Sequence, residues 1–241
     1  MYAYKLAKEK DDTINLVYSF KGLIVAINQN PDSTIEADHI ITEVEGEKIT
    51  CLEDIQTIYD KLLGEDRKGL IKNEGDYINF KVVKHNSDEV LERTAKIYKT
   101  ESGKLSTGLS VQEYYHLDGE NSTPKFTVNY NEYFHASGNS GGAMLCLSIY
   151  NQLTKEDVTK GNLICGTGTI NLDGSIGLIG GVEQKVVKAY LAESKVFFVD
   201  SGDYEAAVEA CKKYGYNYDF IKSVASFEDI LEELSKLEEY K

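Results

Sequence analysis

Apolar positions in this chain fall into short alternating stretches and longer helical ones, separated by polar turns. Leu23-Ile24-Val25-Ala26-Ile27 is a continuous apolar run of the kind that forms a buried strand. Ile40 to Ile49 alternates and breaks at Gly46, which predicts two short strands. Leu52, Ile55, Ile58, Tyr59, Leu62 and Leu63 recur at three- and four-residue steps and predict a helix, with Thr50 as its cap and Gly64 as its stop. Tyr77 to Lys84 and Val90 to Tyr98 read as strands joined by the polar turn His85-Asn86-Ser87-Asp88.

Between Thr100 and Gly108 the residues are mainly Ser, Gly, Thr and Lys, so a linker is expected there. Phe126 to Phe134 alternates as a strand. After Gly142 the run Ala143, Met144, Leu145, Leu147, Ile149, Tyr150 and Leu153 predicts a helix buried nearly all round. Leu163 to Ile170 reads as a glycine-interrupted strand, and Asn171-Leu172-Asp173-Gly174 as a hairpin turn. Val182 to Ala192 predicts a helix and Val196 to Val199 a core strand. Tyr204 to Tyr214 and Phe227 to Tyr240 read as amphipathic helices, the last with Ser226 and Asp229 spaced for a capping box. The pattern divides the chain into a module of strands and one helix over 14–103 and a mixed helix-and-strand domain over 104–241.

A length of 241 residues accommodates two modest domains, each with a core. Lys and Arg total 26 against 40 Asp and Glu, a net charge of −14. That charge repels a phosphate backbone, and no basic arm offsets it, so nucleic acid is excluded as a partner. No apolar stretch reaches the roughly 18 residues of a spanning helix, and the N-terminus lacks the form of a signal peptide; a soluble chain is expected. Four cysteines without metal-ligand spacing read mostly as core thiols, with a Cys146–Cys165 bridge left open.

The chemistry lies in two segments, Ser137-Gly138-Asn139-Ser140-Gly141-Gly142 and Ile179-Gly180-Gly181-Val182-Glu183-Gln184-Lys185. A serine hydroxyl becomes a good nucleophile when a base takes its proton, and a lysine amine can be that base where burial favours its neutral form. Each residue alone has a structural explanation: Ser140 as a cap before a helix, Lys185 as an exposed lysine on an amphipathic helix. The Gly-Asn-Ser-Gly-Gly turn is also similar to the nucleophile loop of chymotrypsin-like and HtrA serine proteases. That reading needs an upstream histidine base, and His39, His85, His116 and His135 all lie in turns or polar strands, outside the sequence context those enzymes show.

The whole block from Asn139 to Phe198, with Asn139-Ser140-Gly141-Gly142-Ala143-Met144, Ile149-Tyr150-Asn151-Gln152-Leu153-Thr154, Gly166-Thr167-Gly168-Thr169-Ile170, Ile179-Gly180-Gly181 and Gln184-Lys185-Val186-Val187, resembles the proteolytic domain of Lon proteases. The nearest likeness is to the PDZ-plus-Lon proteases of Gram-positive bacteria, which are secreted or membrane-anchored. The resemblance implies an α+β fold of the ribosomal protein S5 domain 2-like kind and an ATP-independent serine endopeptidase acting on peptides or unfolded segments. It makes Ser140 the nucleophile, Lys185 the general base and Thr167 the residue that orients the amine. Backbone N–H groups around Ser140, at Asn139 and Gly141, are the expected oxyanion donors. The apolar side chains Val182, Val186, Ile179 and Met144 are expected to desolvate the lysine. No metal or cofactor is called for. The alternative is a weak or inactive Lon-like protein that binds peptides.

The chain departs from the family at two places: Asn139 stands where the family usually has proline and Gly141 where it has alanine. The anchored members place a transmembrane helix ahead of the PDZ domain, so the chain corresponds to one of these without its anchor, at the extracellular face of the membrane, or to an unanchored cytoplasmic version. Phe20 to Val25, Ile40 to Glu47 and the Leu52 to Leu63 helix resemble parts of a bacterial PDZ domain. PDZ domains bind peptides as an added strand. The resemblance places that strand against Gly22, Leu23, Ile24 and Val25, beside the Leu52 to Leu63 helix; the alternative for this module is a packing unit with no open groove. Oligomeric state is not specified by the sequence.

Overall fold

The computed structural model describes residues 1–63, 72–85, 87, 89–127 and 139–240. The chain is a mixed α/β protein, compatible with the α+β class, and divides into two compact units: Tyr18–Leu117, and Met1–Val17 together with Asp118–Lys241. Its elements begin with α1 (Tyr2–Lys10), β1 (Asn15–Asn28), β2 (His39–Val44), β3 (Glu47–Lys48), α2 (Leu52–Leu63), β4 (Tyr77–Lys84) and β5 (Val90–Lys96). They continue with β6 (Tyr98–Lys99), β7 (Leu105–Ser106) and β8 (Leu109–Thr123).

In the unit Tyr18–Leu117 the strands order as β5-β4-β2-β1-β8, with β3 added to β2. Register places Leu23 opposite Ile41 and Ile41 opposite Val82. Side chains alternate across a strand, so Ile78, Phe80 and Val82 of β4 all reach one face and are buried there. Ile55 and Ile58 of α2 join that core. The predicted cap is inverted: the Asp54 carboxylate accepts from the Thr50 and Cys51 N–H groups, and Thr50 Oγ1 donates to it as well (2.6 Å). Asp54 at the third helical position therefore satisfies donors that a capping threonine would leave to others. Gly64, Asn86, Asp88 and most of the predicted strand Phe126–Phe134 lie outside the described residues.

The expected linker is a hairpin inside this unit. β6 and β7 pair Lys99 with Leu105, Thr100 N–H donates to Lys104 O, and Thr107 is buried, its carbonyl accepting from Asn30 Nδ2. Small polar residues serve a tight turn as well as a linker. The division between units accordingly falls at Val17/Tyr18 and Leu117/Asp118, and Gly103 lies within the first-described unit.

The other unit contains α1, α3 (Gly142–Leu153), β9 (Ile164–Gly166), β10 (Thr169–Ile170), β11 (Ile176–Gly177), α4 (Val182–Leu191), β12 (Val196–Asp200), α5 (Tyr204–Tyr214), β13 (Ile221–Val224) and α6 (Phe227–Ser235). Strands β13-β12-β9 form a parallel sheet, and β10 pairs with β11 as the predicted hairpin. All of β12 is buried: Val196 and Phe198 pack with α1, α3 and α6, while Phe197 and Val199 pack with α4 and α5. Helices on both faces explain why this strand reads as an unbroken apolar run.

Helix α3 buries one stripe, Ala143, Cys146, Leu147 and Tyr150, and leaves Leu145 51% exposed, so it is not enclosed on every side as expected. The predicted last helix stops at Ser235 because Lys160 Nζ takes the Ser235 and Leu237 carbonyls and Tyr240 N–H turns to Lys160 O. All four cysteines are free; Cys146 and Cys165 pack into the cores on opposite faces of the parallel sheet, which excludes a bridge between them. Among the described residues no helix is long and apolar enough to cross a membrane.

Candidate active site

Ser140 sits in a 3₁₀ turn, Asn139–Gly141, that runs straight into α3. The turn is held against the end of β9. Gly168 N–H donates to Ser140 O (2.8 Å), Ala143 N–H donates to Gly168 O (3.1 Å), and Thr167 N–H extends the β9–β12 ladder to Phe198 O (2.8 Å). Gly142 permits the approach, since a Cβ there would lie 3.1 Å from Ile170 Cγ2 and 3.2 Å from Ile170 N.

Lys185 comes from the other side of the sheet. It lies in the opening turns of α4, whose Val182 and Val186 enter the core shared with α5, and it is partly buried. Its amine donates to Thr167 Oγ1 (3.2 Å) and to Gly180 O (3.1 Å). Thr167 Oγ1 in turn donates to Ser140 O (2.9 Å). Thr167 is only 2% exposed, so its hydroxyl is a fixed bridge between the serine turn and the lysine amine. The three residues thus meet just beyond the carboxyl end of β9, where crevices form in open parallel sheets.

Among the described residues the Ser140 hydroxyl makes no hydrogen bond, and none joins it to Lys185. Proton-transfer contacts are often long in the unliganded state and tighten with substrate. The N–H groups of the Asn139–Gly141 turn lie at a helix start, where backbone donors have no partner one turn back. Both Asn139 and Gly141 are exposed, and a Cβ on Gly141 would meet nothing within 4 Å, so alanine is sterically permitted there. The four apolar side chains expected around the lysine are split between two cores: Val182, Val186 and Ile179 belong to the α4/α5 core, Met144 to the α1/α3 core.

Two participants escaped the sequence reading. Gly180 contributes only a carbonyl, which no residue pattern reveals. Asp203 accepts from Ile179 N–H (2.9 Å) through Oδ2 and so holds the loop that carries Gly180. Its position before α5 marks it as a helix cap, and no local signal points across to residue 179.

The peptide site expected at Gly22, Leu23, Ile24 and Val25 is corrected by the sheet order. β1 is an interior strand, bonded to β2 on one side and β8 on the other, and Leu23 and Val25 are fully buried. An added strand needs a free edge. β8 takes that edge: Leu109 and Val111 pack against the core, and Glu113 Oε1 accepts from Leu52 N–H at the start of α2 (3.1 Å). Tyr59 of α2 also bonds Thr107 Oγ1 (2.8 Å).

A cleft of ≈ 670 Å³ opens between α4 and α5, lined in part by Glu183, Glu209 and Lys213; neither Ser140 nor Lys185 lines it. No protein-family model matches the chain, and a search of curated proteins finds no match to it.

Proposed function

We propose that the unit containing Ser140 and Lys185 is a serine endopeptidase of the Lon type, hydrolysing peptides or unfolded protein segments, in a chain of the PDZ-plus-Lon kind. The observation that carries this reading is Thr167 Oγ1, which bonds the Lys185 amine on one side and the Ser140 carbonyl on the other. A surface lysine with no role has no reason to be fastened to a buried threonine at the nucleophile turn. In this reading neutral Lys185 takes the Ser140 proton as the hydroxyl oxygen attacks the peptide carbonyl. The same proton passes to the leaving amine, and water then hydrolyses the ester by the reverse use of the base. Backbone N–H groups at Asn139 and Gly141 receive the oxyanion.

The second reading is a Lon-like scaffold without hydrolysis. It is favoured by one observation, the absence of a hydrogen bond on the Ser140 hydroxyl among the described residues. The test uses the whole chain with a carboxymethylated, unfolded protein as substrate and no added nucleotide. Wild type cleaves; Ser140→Ala and Lys185→Ala each lower the rate on the order of 10²–10⁴-fold. Cleavage that persists in both variants overturns the dyad, and a wild type that binds but never cleaves supports the scaffold.

A further inference from the structure

Asp203 opens α5 as its N-cap, yet its carboxylate makes no capping bond to that helix. A capping aspartate ordinarily accepts from N–H groups of its own first turn. Here Oδ2 is directed instead to Ile179 N–H (2.9 Å), across from the β12–α5 turn to the loop ahead of α4. The turn itself is braced by Asp200, which is buried, with Oδ1 accepting from Gly202 N–H (2.8 Å) and its carbonyl accepting from Asp203 N–H (3.0 Å). Asp203 is therefore presented from a rigid strand end. Its partner loop is the one whose next residue, Gly180, offers its carbonyl to the Lys185 amine (3.1 Å).

We infer that Asp203 is a positioning residue: by holding Ile179 it sets Gly180 O so that the Lys185 amine is confined between that carbonyl and Thr167 Oγ1. The inference rests on Lys185 being the general base, and it adds a residue from a fourth element to the constellation. A lysine stem has four rotatable bonds, and an amine with a single acceptor sweeps an arc about it. Two acceptors fix its direction, and a misplacement of about 1 Å can cost 10²-fold in rate. Thr167 is anchored by β9 and the ladder to Phe198. For Gly180 the described anchor is Asp203, one residue away through Ile179.

The experiment compares Asp203→Ala and Asp203→Asn in the whole chain, with two readouts. The protein is made with ¹³C-labelled lysine, and the Lys185 Cε resonance is assigned by its loss in Lys185→Ala. Cleavage of an unfolded protein is followed to separate kcat from KM. Asparagine keeps an oxygen that accepts from Ile179 N–H; alanine does not. In Asp203→Ala the Lys185 resonance shifts and kcat falls on the order of 10–100-fold with KM within about twofold, while Asp203→Asn restores both. A Lys185 resonance unmoved in Asp203→Ala overturns the positioning role. So does a kcat loss that Asp203→Asn fails to rescue, because the acceptor is then not what matters. If the resonance moves while Lys185→Ala cleaves as well as wild type, the positioning of the amine stands and the assignment of Lys185 as base fails.

Discussion

Thr167 is the residue on which the candidate site turns. Its N–H is spent on Phe198, its hydroxyl hydrogen on Ser140 O, and its hydroxyl lone pair on Lys185. Replacing Thr167 with valine keeps the shape but removes both hydroxyl bonds, leaving the amine with Gly180 O and the Ser140 carbonyl with Gly168 N–H. We expect a stability loss of about 1–2 kcal/mol in urea unfolding and a fall in kcat, both largely restored by Thr167→Ser. A valine variant that keeps full kcat would remove Thr167 from the mechanism. The types and spacing of Ser140, Thr167 and Lys185 were open to sequence reading, because each contributes a side chain. Gly180 O was not, since a carbonyl belongs to every residue and only the fold aims one. Gly22 shows the same limit: the sequence presents it as the start of a binding strand, whereas its φ of 138° and a Cβ position 2.3 Å from Ile41 O mark a close backbone approach inside the sheet.

Helix α6 shows how well local chemistry predicts an element. Ser226 Oγ accepts from Asp229 N–H (3.2 Å) and Asp229 Oδ2 accepts from Ser226 N–H (2.9 Å), the reciprocal box that the spacing implied. Ser226→Ala should cost about 1 kcal/mol, read as a shift in denaturant midpoint at constant slope; no shift would mean the box is redundant with the burial of Phe227 and Ile230. Its carboxyl end lies at Ser235, short of the Tyr240 that the apolar pattern implies, because Lys160, far off in sequence, takes the terminal carbonyls. Two elements carried too little pattern to be seen. The buried face of α1 is Tyr2, Ala3 and Ala7, and alanine marks a stripe weakly. β8 mixes polar and aromatic residues: Leu109 and Val111 pack on the core of the sheet unit, Tyr115 meets Phe20 and Tyr114 meets His85, positions with no two-residue period.

The molecule as a whole is two units, one with a single core and one with a core on each face of its parallel sheet. Phe80 lies in the core of Tyr18–Leu117, whereas Phe198 lies in the core of the other unit that α1 helps complete from the far end of the sequence. Tyr2 places its ring edge against Phe227 and its hydroxyl donates to Glu228. Hydrogen exchange followed by mass spectrometry should therefore localise core damage. Phe80→Ala, costing about 3–5 kcal/mol, raises exchange within 18–117, and Phe198→Ala raises it within 1–17 and 118–240. Uniform loss of protection from either variant would show that the units unfold as one.

Periodicity and turn chemistry are local properties, so the sequence alone placed α2, α5, β12, the Asn171–Gly174 turn and the Ser226 box, along with the residue types of the candidate dyad. Neighbours across a sheet depend on distant chain. The fold assigned β8 to the open side of β1 and so closed the expected peptide groove, and it drew residues 1–17 into the unit of the catalytic candidates. It also brought Ser140 and Lys185, carried by helices on opposite faces of one parallel sheet, to the same threonine hydroxyl. Sequence spacing does not encode that meeting, because it depends on where β9 ends and on how α3 and α4 pack across it.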